Sequence, residues 1–301
     1  MELYCGVNDM SWNKHPVKPG PHACISPIYG KSERTKRENR VSIPSKVLVI
    51  QDSGAFSDGI KDRLSFSEAF DRQAKHAEKW KYNNQIEAVA SYDLLIDEMW
   101  EEGKRHKQRW SENDAWFAVK ETINAAAFLA KNYPGKRVQS AQGVTPEQYL
   151  QCVYQILEHT DTNDIFGLGG WCISGKMPLQ MIPHFSRTIW LVIPTIAKAG
   201  IKRVHIWGVM ASEFLGPLLW LCDEYELDLS TDSAGPQMRP VMGEWGYNGW
   251  KRPYNVAPVE TRGIHRAIHV QLTRCWLKNG LRKSPFYHEP ENYSVQKSIF
   301  A

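Results

Sequence analysis

Apolar residues recur along the chain in short, near-continuous runs, each followed by turn residues and then by a longer stretch with helical spacing. The runs Leu3–Val7, Ala23–Ile28, Val47–Gln51, Ile86–Ser91, Arg137–Ala141, Asp164–Leu168, Arg203–Trp207 and Glu226–Ser230 read as strands. Several, such as Val47-Leu-Val-Ile, lack polar alternation, as expected of strands covered on both faces. The stretches between them read as helices. Ser65–Trp80 opens with Ser65-x-x-Glu68, a capping box, and Glu112–Asn132 stops before Pro134-Gly135. Thr145-Pro146-Glu147 supplies a cap, a first-turn proline and an acidic first turn for a helix to about His159. Phe185–Ala199, Ala211–Tyr225 and Pro258–Asn279 complete the set, the first ending at Gly200 and the last at Gly280. Strands alternating with helices in this way predict an α/β fold, a single-domain (β/α)8 TIM-like barrel, with a doubly wound open sheet as the alternative. The polar segment Lys31–Lys46, with six Lys/Arg against two Glu, reads as a mobile basic insertion after strand two.

Composition narrows the class. With 301 residues, 42% of them apolar, and 12 Trp, 12 Tyr and 10 Phe, there is material for one large core, and 23% charged residues exclude wholesale disorder. No run reaches the ~18 apolar residues of a membrane helix, and the longest, Thr188–Ile196, contains Pro194. Met1-Glu-Leu-Tyr lacks the basic and apolar parts of a leader, so the expected location is cytoplasmic, with no membrane partner. Cys5, Cys24, Cys152, Cys172, Cys222 and Cys275 stand singly. They are expected as buried or half-buried thiols, with no disulfide, metal or cofactor.

In a barrel of this kind the chemistry sits just past the C-terminal ends of the strands. Those positions hold Asp52-Ser53-Gly54 after strand three, Asp93 after strand four, Gln142-Gly143 after strand five, Gly169-Gly170-Trp171 after strand six and Asp232 at strand eight. Each segment alone also suits an ordinary turn. Together they bring three carboxylates, a carboxamide and several glycines to one rim. That set suits cleavage at an anomeric carbon, where one carboxylate attacks or stabilises the cationic centre and another trades a proton with the leaving group. Two of the same carboxylates would serve a retaining glycoside hydrolase, and a degenerate barrel that only binds nucleic acid is a further alternative.

The order of these segments resembles that of the tRNA-guanine transglycosylases. Gln51-Asp52-Ser53-Gly54-Ala55-Phe56 is similar to their Asp-Ser-Gly-Gly-Phe/Tyr-Gln motif, Ala141-Gln142-Gly143 to their Gln-Gly strand end, and Gly167-Leu168-Gly169-Gly170-Trp171 to their Gly-Gly-Leu base-binding loop. Trp207-Gly208-Val209 resembles their Met-Gly-Val step, and Leu227–Asp232 the strand that carries their nucleophile. The resemblance spans about residues 47 to 235. It implies that Asp232 attacks the anomeric carbon of a guanosine and expels guanine, and that a 7-deazaguanine, deprotonated with help from Asp52, then displaces the enzyme. It further implies that Asp93, Gln142, Gly169 and Gly170 hold the base edges, with Ser53 beside them, that Phe56 stacks on the base and that Trp171 lines the pocket.

The departures from that family are informative. Its Cys-x-Cys-x-x-Cys…His zinc site is missing, because only Cys275 follows Asp232. Its basic segment after the nucleophile is replaced by Ser233-Ala-Gly-Pro-Gln-Met-Arg239, and Lys176 stands where a base-selecting Glu is expected. Lys176 implies a different 7-substituent, such as the neutral cyano group. The pattern is closer to the zinc-less relatives that place 7-deazaguanines in DNA, found in phages and genomic islands. The expected activity is therefore a pentosyltransferase acting on DNA, with tRNA as the alternative polynucleotide and a free 7-deazaguanine base as co-substrate. A homodimer or a partner subunit stays open.

Charge distribution bears on the polynucleotide. Between Gly235 and Lys283 nine Lys/Arg face Glu244 and Glu260, a net of +7 in a chain totalling +4. Trp245, Tyr247, Trp250 and Tyr254 are interleaved with them, as phosphate contact with base stacking requires. Arg239, Lys251, Arg252, Arg262 and Arg266 are the expected nucleic-acid contacts. The alternative is that Arg262, Arg266, Arg274 and Lys278 form one solvated helix face. His265 and His269 are spaced i, i+4 but lack an intervening Glu, and are expected on the helix face or in the core.

Overall fold

In a computed structural model, eight parallel strands close into a barrel. The structure describes residues 1–6, 10–11, 21–30, 36–58, 62–95, 112–171, 181–233, 244–245, 252–253 and 262–290. The strands are β1 (Glu2–Gly6), β2 (His22–Ile25), β3 (Leu48–Gln51), β4 (Ile86–Ala90), β5 (Arg137–Ala141), β6 (Ile165–Leu168), β7 (Arg203–Ile206) and β8 (Asp228–Ser233). Each pairs with the next in sequence, and β8 returns to β1 with Asp232 opposite Tyr4. That closure removes the open-sheet alternative. The helices are α1 (Phe66–Lys79), α2 (Glu112–Asn132), α3 (Pro146–Leu157), α4 (Ile182–Lys198), α5 (Ser212–Glu224) and α6 (Arg262–Cys275). The expected caps form: Ser65 and Glu68 make a reciprocal capping box on α1, and Thr145 accepts from the Gln148 N–H at the start of α3. Among the described residues no helix is long and apolar enough to cross a membrane.

The near-continuous apolar runs follow from a sheet with two buried faces. Leu3, Phe166, Leu168, Val204, Ile206 and Leu229 point outward into the helix layer. The alternate positions Tyr4, Cys24, Ile50, Ala88, Val138 and Ile165 fill the barrel interior against the ring of Trp207. At the lower end the Tyr4 hydroxyl donates to Glu87 Oε2 at 2.6 Å and accepts from Arg203 at 3.0 Å, so the polar groups there are paired. Two positions further along several strands the inward residues are small or polar, and there the barrel opens.

Several boundaries differ from expectation. β2 ends at Ile25, and Ile28–Tyr29 instead pairs antiparallel with Arg37–Glu38. The described part of the basic insertion is therefore tied to the barrel, with Asn39 and Val41 buried and His76 Nε2 2.6 Å from the Asn39 carbonyl. β8 starts late because Glu226 adopts a left-handed φ of 54°, and it runs on through Asp232. Cys275 is exposed, while Cys5, Cys24, Cys152 and Cys222 are buried. His269 is a core residue. Arg274 is not on a solvated face: its guanidinium donates to the Leu3 and His22 carbonyls beneath the barrel. Arg282 is held by both oxygens of Asp223.

Candidate active site

The C-terminal mouth of the barrel holds a pocket of about 410 Å³, a size suited to a small organic ligand. Asp52, Asp93 and Asp232 all line it, with Phe56, Gly169 and Gly170. Each carboxylate arrives by a different route. Asp52 follows β3 directly and keeps part of its surface open to the pocket. The Ser26 hydroxyl and the backbone N–H groups of Ser53 and Gly54 donate to it. Burial and the nearby Asp232 charge outweigh those bonds and push its carboxyl above the ordinary value.

Asp232 lies within β8, which fixes its backbone, and its side chain is 18% exposed. The Gly208 N–H donates to Oδ1 at 2.8 Å, and His205 Nε2 lies 3.2 Å from the same oxygen. Asp93 is nearly buried, and the Gln142 amide donates to its Oδ2. Cys24 also lines the pocket, but burial and the two carboxylates push its thiol far up, so it stays protonated and is no nucleophile.

Two arginines lock the loops that carry these acids. Arg63 donates to the carbonyls of Tyr92 and Asp93, each at 2.8 Å, and stacks over the Tyr92 ring. Arg72 donates to the Ser53 carbonyl at 2.7 Å and to both oxygens of Asp58 at 3.1 and 2.7 Å. Asp58 also meets Lys36 and the Tyr92 hydroxyl, each at 2.8 Å. Gly54, at φ 82°, makes room for this clamp, since a Cβ there would stand 2.8 Å from Arg72 Nη2.

Three residues expected on the pocket wall are not there. Gln142 has no exposed surface and sits behind Asp93, packed on Gly169, where a Cβ would come within 2.9 Å of Gln142 Cγ. Gln142 therefore orients Asp93 instead of facing a ligand. The Ser53 side chain turns back to accept from the Ala55 N–H at 3.3 Å, capping the short helix Ala55–Asp58. Trp171 follows Gly170, whose φ of 79° turns the chain outward, and its ring packs on Phe185 and Tyr149 in the helix layer. Lys176, Arg239 and Lys251 lie outside the described residues. Arg252 is placed only by its backbone, in a two-residue ribbon with Glu244–Trp245. Arg262 and Arg266 are placed on α6 by backbone alone.

Sequence reading missed His205, Trp207, Ser26 and Ser140. Trp207 lines the pocket and donates from Nε1 to Ser140 Oγ at 2.9 Å. The signal was available: Arg203, His205 and Trp207 share one strand parity, and three large polar or amphipathic residues in the inward row of a barrel strand call for a reason.

No family model matches the chain, and no curated protein matches it. Among solved structures, the chain is similar to a protein from Coccidioides immitis described as a fructose-1,6-biphosphate aldolase. The TM-score is 0.50 at 9% identity, covering 94% of this chain and 92% of that one. The YdjI aldolase from Escherichia coli K12 matches with a TM-score of 0.36 at 9% identity over 96% of this chain and 91% of that one. The spore coat polysaccharide biosynthesis protein SpsE from Bacillus subtilis matches with a TM-score of 0.35 at 10% identity over 100% of this chain and 78% of that one. At these identities the first supports the barrel fold alone, and the other two add no argument.

Proposed function

We propose that this chain is an enzyme, a base-exchange transglycosylase that replaces guanine in DNA with a 7-deazaguanine through a glycosyl ester on Asp232. The observation that carries the reading is the pairing of two unlike carboxylates across one pocket. Asp232 is held on a single oxygen by the Gly208 N–H and His205 Nε2, and Asp52 is half-buried near it, its carboxyl raised by burial and by the Asp232 charge. Such a pair divides the labour between nucleophile and proton carrier.

In the first step Asp232 forms a bond to C1′ while the C1′–N9 bond breaks, its electron pair leaving with guanine and a proton from Asp52 neutralising the departing base. In the second step Asp52 takes the N9 proton of the incoming 7-deazaguanine. That nitrogen bonds to C1′, and the Asp232 carboxylate departs. One glycosidic bond replaces another, so the exchange balances without a redox or nucleotide co-substrate. Asp93, oriented by Gln142, accepts from the amino-pyrimidine edge of the base, and Gly169-Gly170 lets backbone approach its other edge. Phe56 supplies an aromatic face.

The test is release of labelled guanine. Duplex DNA and tRNA with radiolabelled guanine are each incubated with the protein and 7-cyano-7-deazaguanine. Release from DNA supports the proposal, and release from tRNA alone moves the substrate to tRNA. Release from neither, with a reducing sugar freed from a glycoside, replaces it with glycoside hydrolysis. Asp232→Ala is expected to abolish release while leaving polynucleotide binding nearly unchanged.

A further inference from the structure

Asp232 is gripped on one oxygen. Oδ1 has His205 Nε2 at 3.2 Å and the Gly208 N–H at 2.8 Å, while Oδ2 makes no hydrogen bond to a described residue. The His205 side chain is wholly buried, so water cannot satisfy its ring. Nδ1 lies 3.0 Å from Ser230 Oγ, which in turn lies 3.2 Å from the Val204 carbonyl. The rings of Tyr4 and Trp207 pack edge-on against the imidazole and hold its plane.

These contacts decide where the ring proton sits. If Nδ1 alone carried it, the Nε2 lone pair would face a carboxylate oxygen in a buried site, an uncompensated repulsion. Two arrangements remain. In the neutral ring, the Ser230 hydroxyl donates to Nδ1 and Nε2–H donates to Oδ1. In the imidazolium, Nδ1–H donates to Ser230 Oγ, whose own hydrogen turns to the Val204 carbonyl, and Nε2–H again donates to Oδ1. A hydroxyl both donates and accepts, so Ser230 serves either state. The donor on Asp232 is therefore kept whether His205 is charged or neutral.

We infer that His205 is a positioning residue for Asp232, fixing Oδ1 so that Oδ2 is the oxygen that bonds to the sugar. This rests on the exchange reading above. As the Oδ2–C1′ bond forms, Oδ1 becomes the carbonyl oxygen of the ester and keeps both donors. When N9 of the incoming base bonds to C1′, the C1′–Oδ2 electron pair returns to the carboxylate. The charge then re-forms in front of donors already in place. Loss of His205 should slow the chemical steps and leave polynucleotide affinity alone.

The experiment compares His205→Phe, which keeps a ring without a donor, and His205→Gln, which restores an N–H at similar reach. The readouts are guanine release from labelled duplex DNA with 7-cyano-7-deazaguanine and thermal stability. His205→Phe is expected to lower kcat roughly 10- to 100-fold with KM for DNA within about twofold, and His205→Gln to recover much of the loss. Near-normal turnover in His205→Phe, beside an inactive Asp232→Ala, would overturn the inference. So would a His205→Gln variant as slow as His205→Phe at equal stability. Nitrogen-15 NMR of the imidazole in the full chain tests the geometry without turnover. An Nε2–H ring supports the inference, and an Nδ1–H-only ring overturns it. Absence of exchange by the unaltered protein on DNA and tRNA counts instead against the proposed function.

Discussion

Arg72→Ala removes the guanidinium that joins the segment carrying Asp52 to helix α1. The Asp58 side chain is 1% exposed and that of Arg72 19%, so the pair is screened little by water. Burial pushes the Asp58 carboxyl up, but bonds from Arg72, Lys36 and Tyr92 outweigh it, and the net shift is downward. Breaking a buried pair by removing one partner costs about 3–5 kcal/mol. Lys36 and Tyr92 remain on Asp58, which places the value near the lower end, and the lost bond to the Ser53 carbonyl adds about 1 kcal/mol. The expected loss is about 3–4 kcal/mol, or roughly 5 °C in Tm for a chain of this length. The sign with pH follows from the depressed carboxyl. Its stabilisation is complete above the ordinary carboxylate value and disappears as pH falls through the folded-state value. Urea unfolding followed by tryptophan fluorescence should therefore show the full gap at neutral pH and a narrowing gap in acid. A loss below about 1 kcal/mol at neutral pH, or a gap that widens in acid, would refute the clamp.

Asp52 titrates in the opposite sense. Its carboxyl is raised by burial and by Asp232, so the folded state binds its proton more tightly than the unfolded chain does, and stability falls as pH rises through that interval. Asp52→Asn should therefore raise Tm at neutral pH and lose that advantage in acid while exchange is abolished; a lower Tm at neutral pH would contradict the assignment. Trp171 packs in the helix layer, so Trp171→Ala should cost about 3–5 kcal/mol in urea unfolding. The milder Trp171→Phe should leave base affinity unchanged by calorimetry, and a tenfold loss of affinity at unchanged stability would put Trp171 back in the pocket. Gly169→Ala would press on Gln142 and so move Asp93; base binding should weaken with about 1–3 kcal/mol of destabilisation, and unchanged affinity would remove Gln142 from the recognition argument.

Much of the barrel was legible because its signals are local. Buried parallel strands leave continuous apolar runs, and Ser65, Thr145 and the glycines after the helices mark where elements begin and end. The rim carboxylates could be placed for the same reason: once strand ends are located, Asp52, Asp93 and Asp232 share one mouth. What escaped depends on side-chain direction and on partners distant in sequence. Trp171 and Gln142 stand beside pocket residues in the chain, yet the turn at Gly170 and the close packing on Gly169 send both away from the ligand space. No local pattern marks Arg72 or Arg63, and only the fold brings them to the Ser53 and Asp93 carbonyls. Likewise, the nearby Lys36–Lys46 stretch is polar in composition, but its Asn39 carbonyl meets a buried histidine 37 residues away.

The central claim is a covalent glycosyl ester on Asp232, and trapping it tests that claim most directly. The protein is mixed with end-labelled duplex DNA without an incoming base, quenched in denaturant and resolved on a denaturing gel, and the retained peptide is mapped by mass spectrometry. The account predicts a protein–DNA adduct on residue 232 that disappears when 7-cyano-7-deazaguanine is added before the quench and never forms in Asp232→Ala. Guanine exchange without an adduct, or an adduct on any other residue, would contradict it.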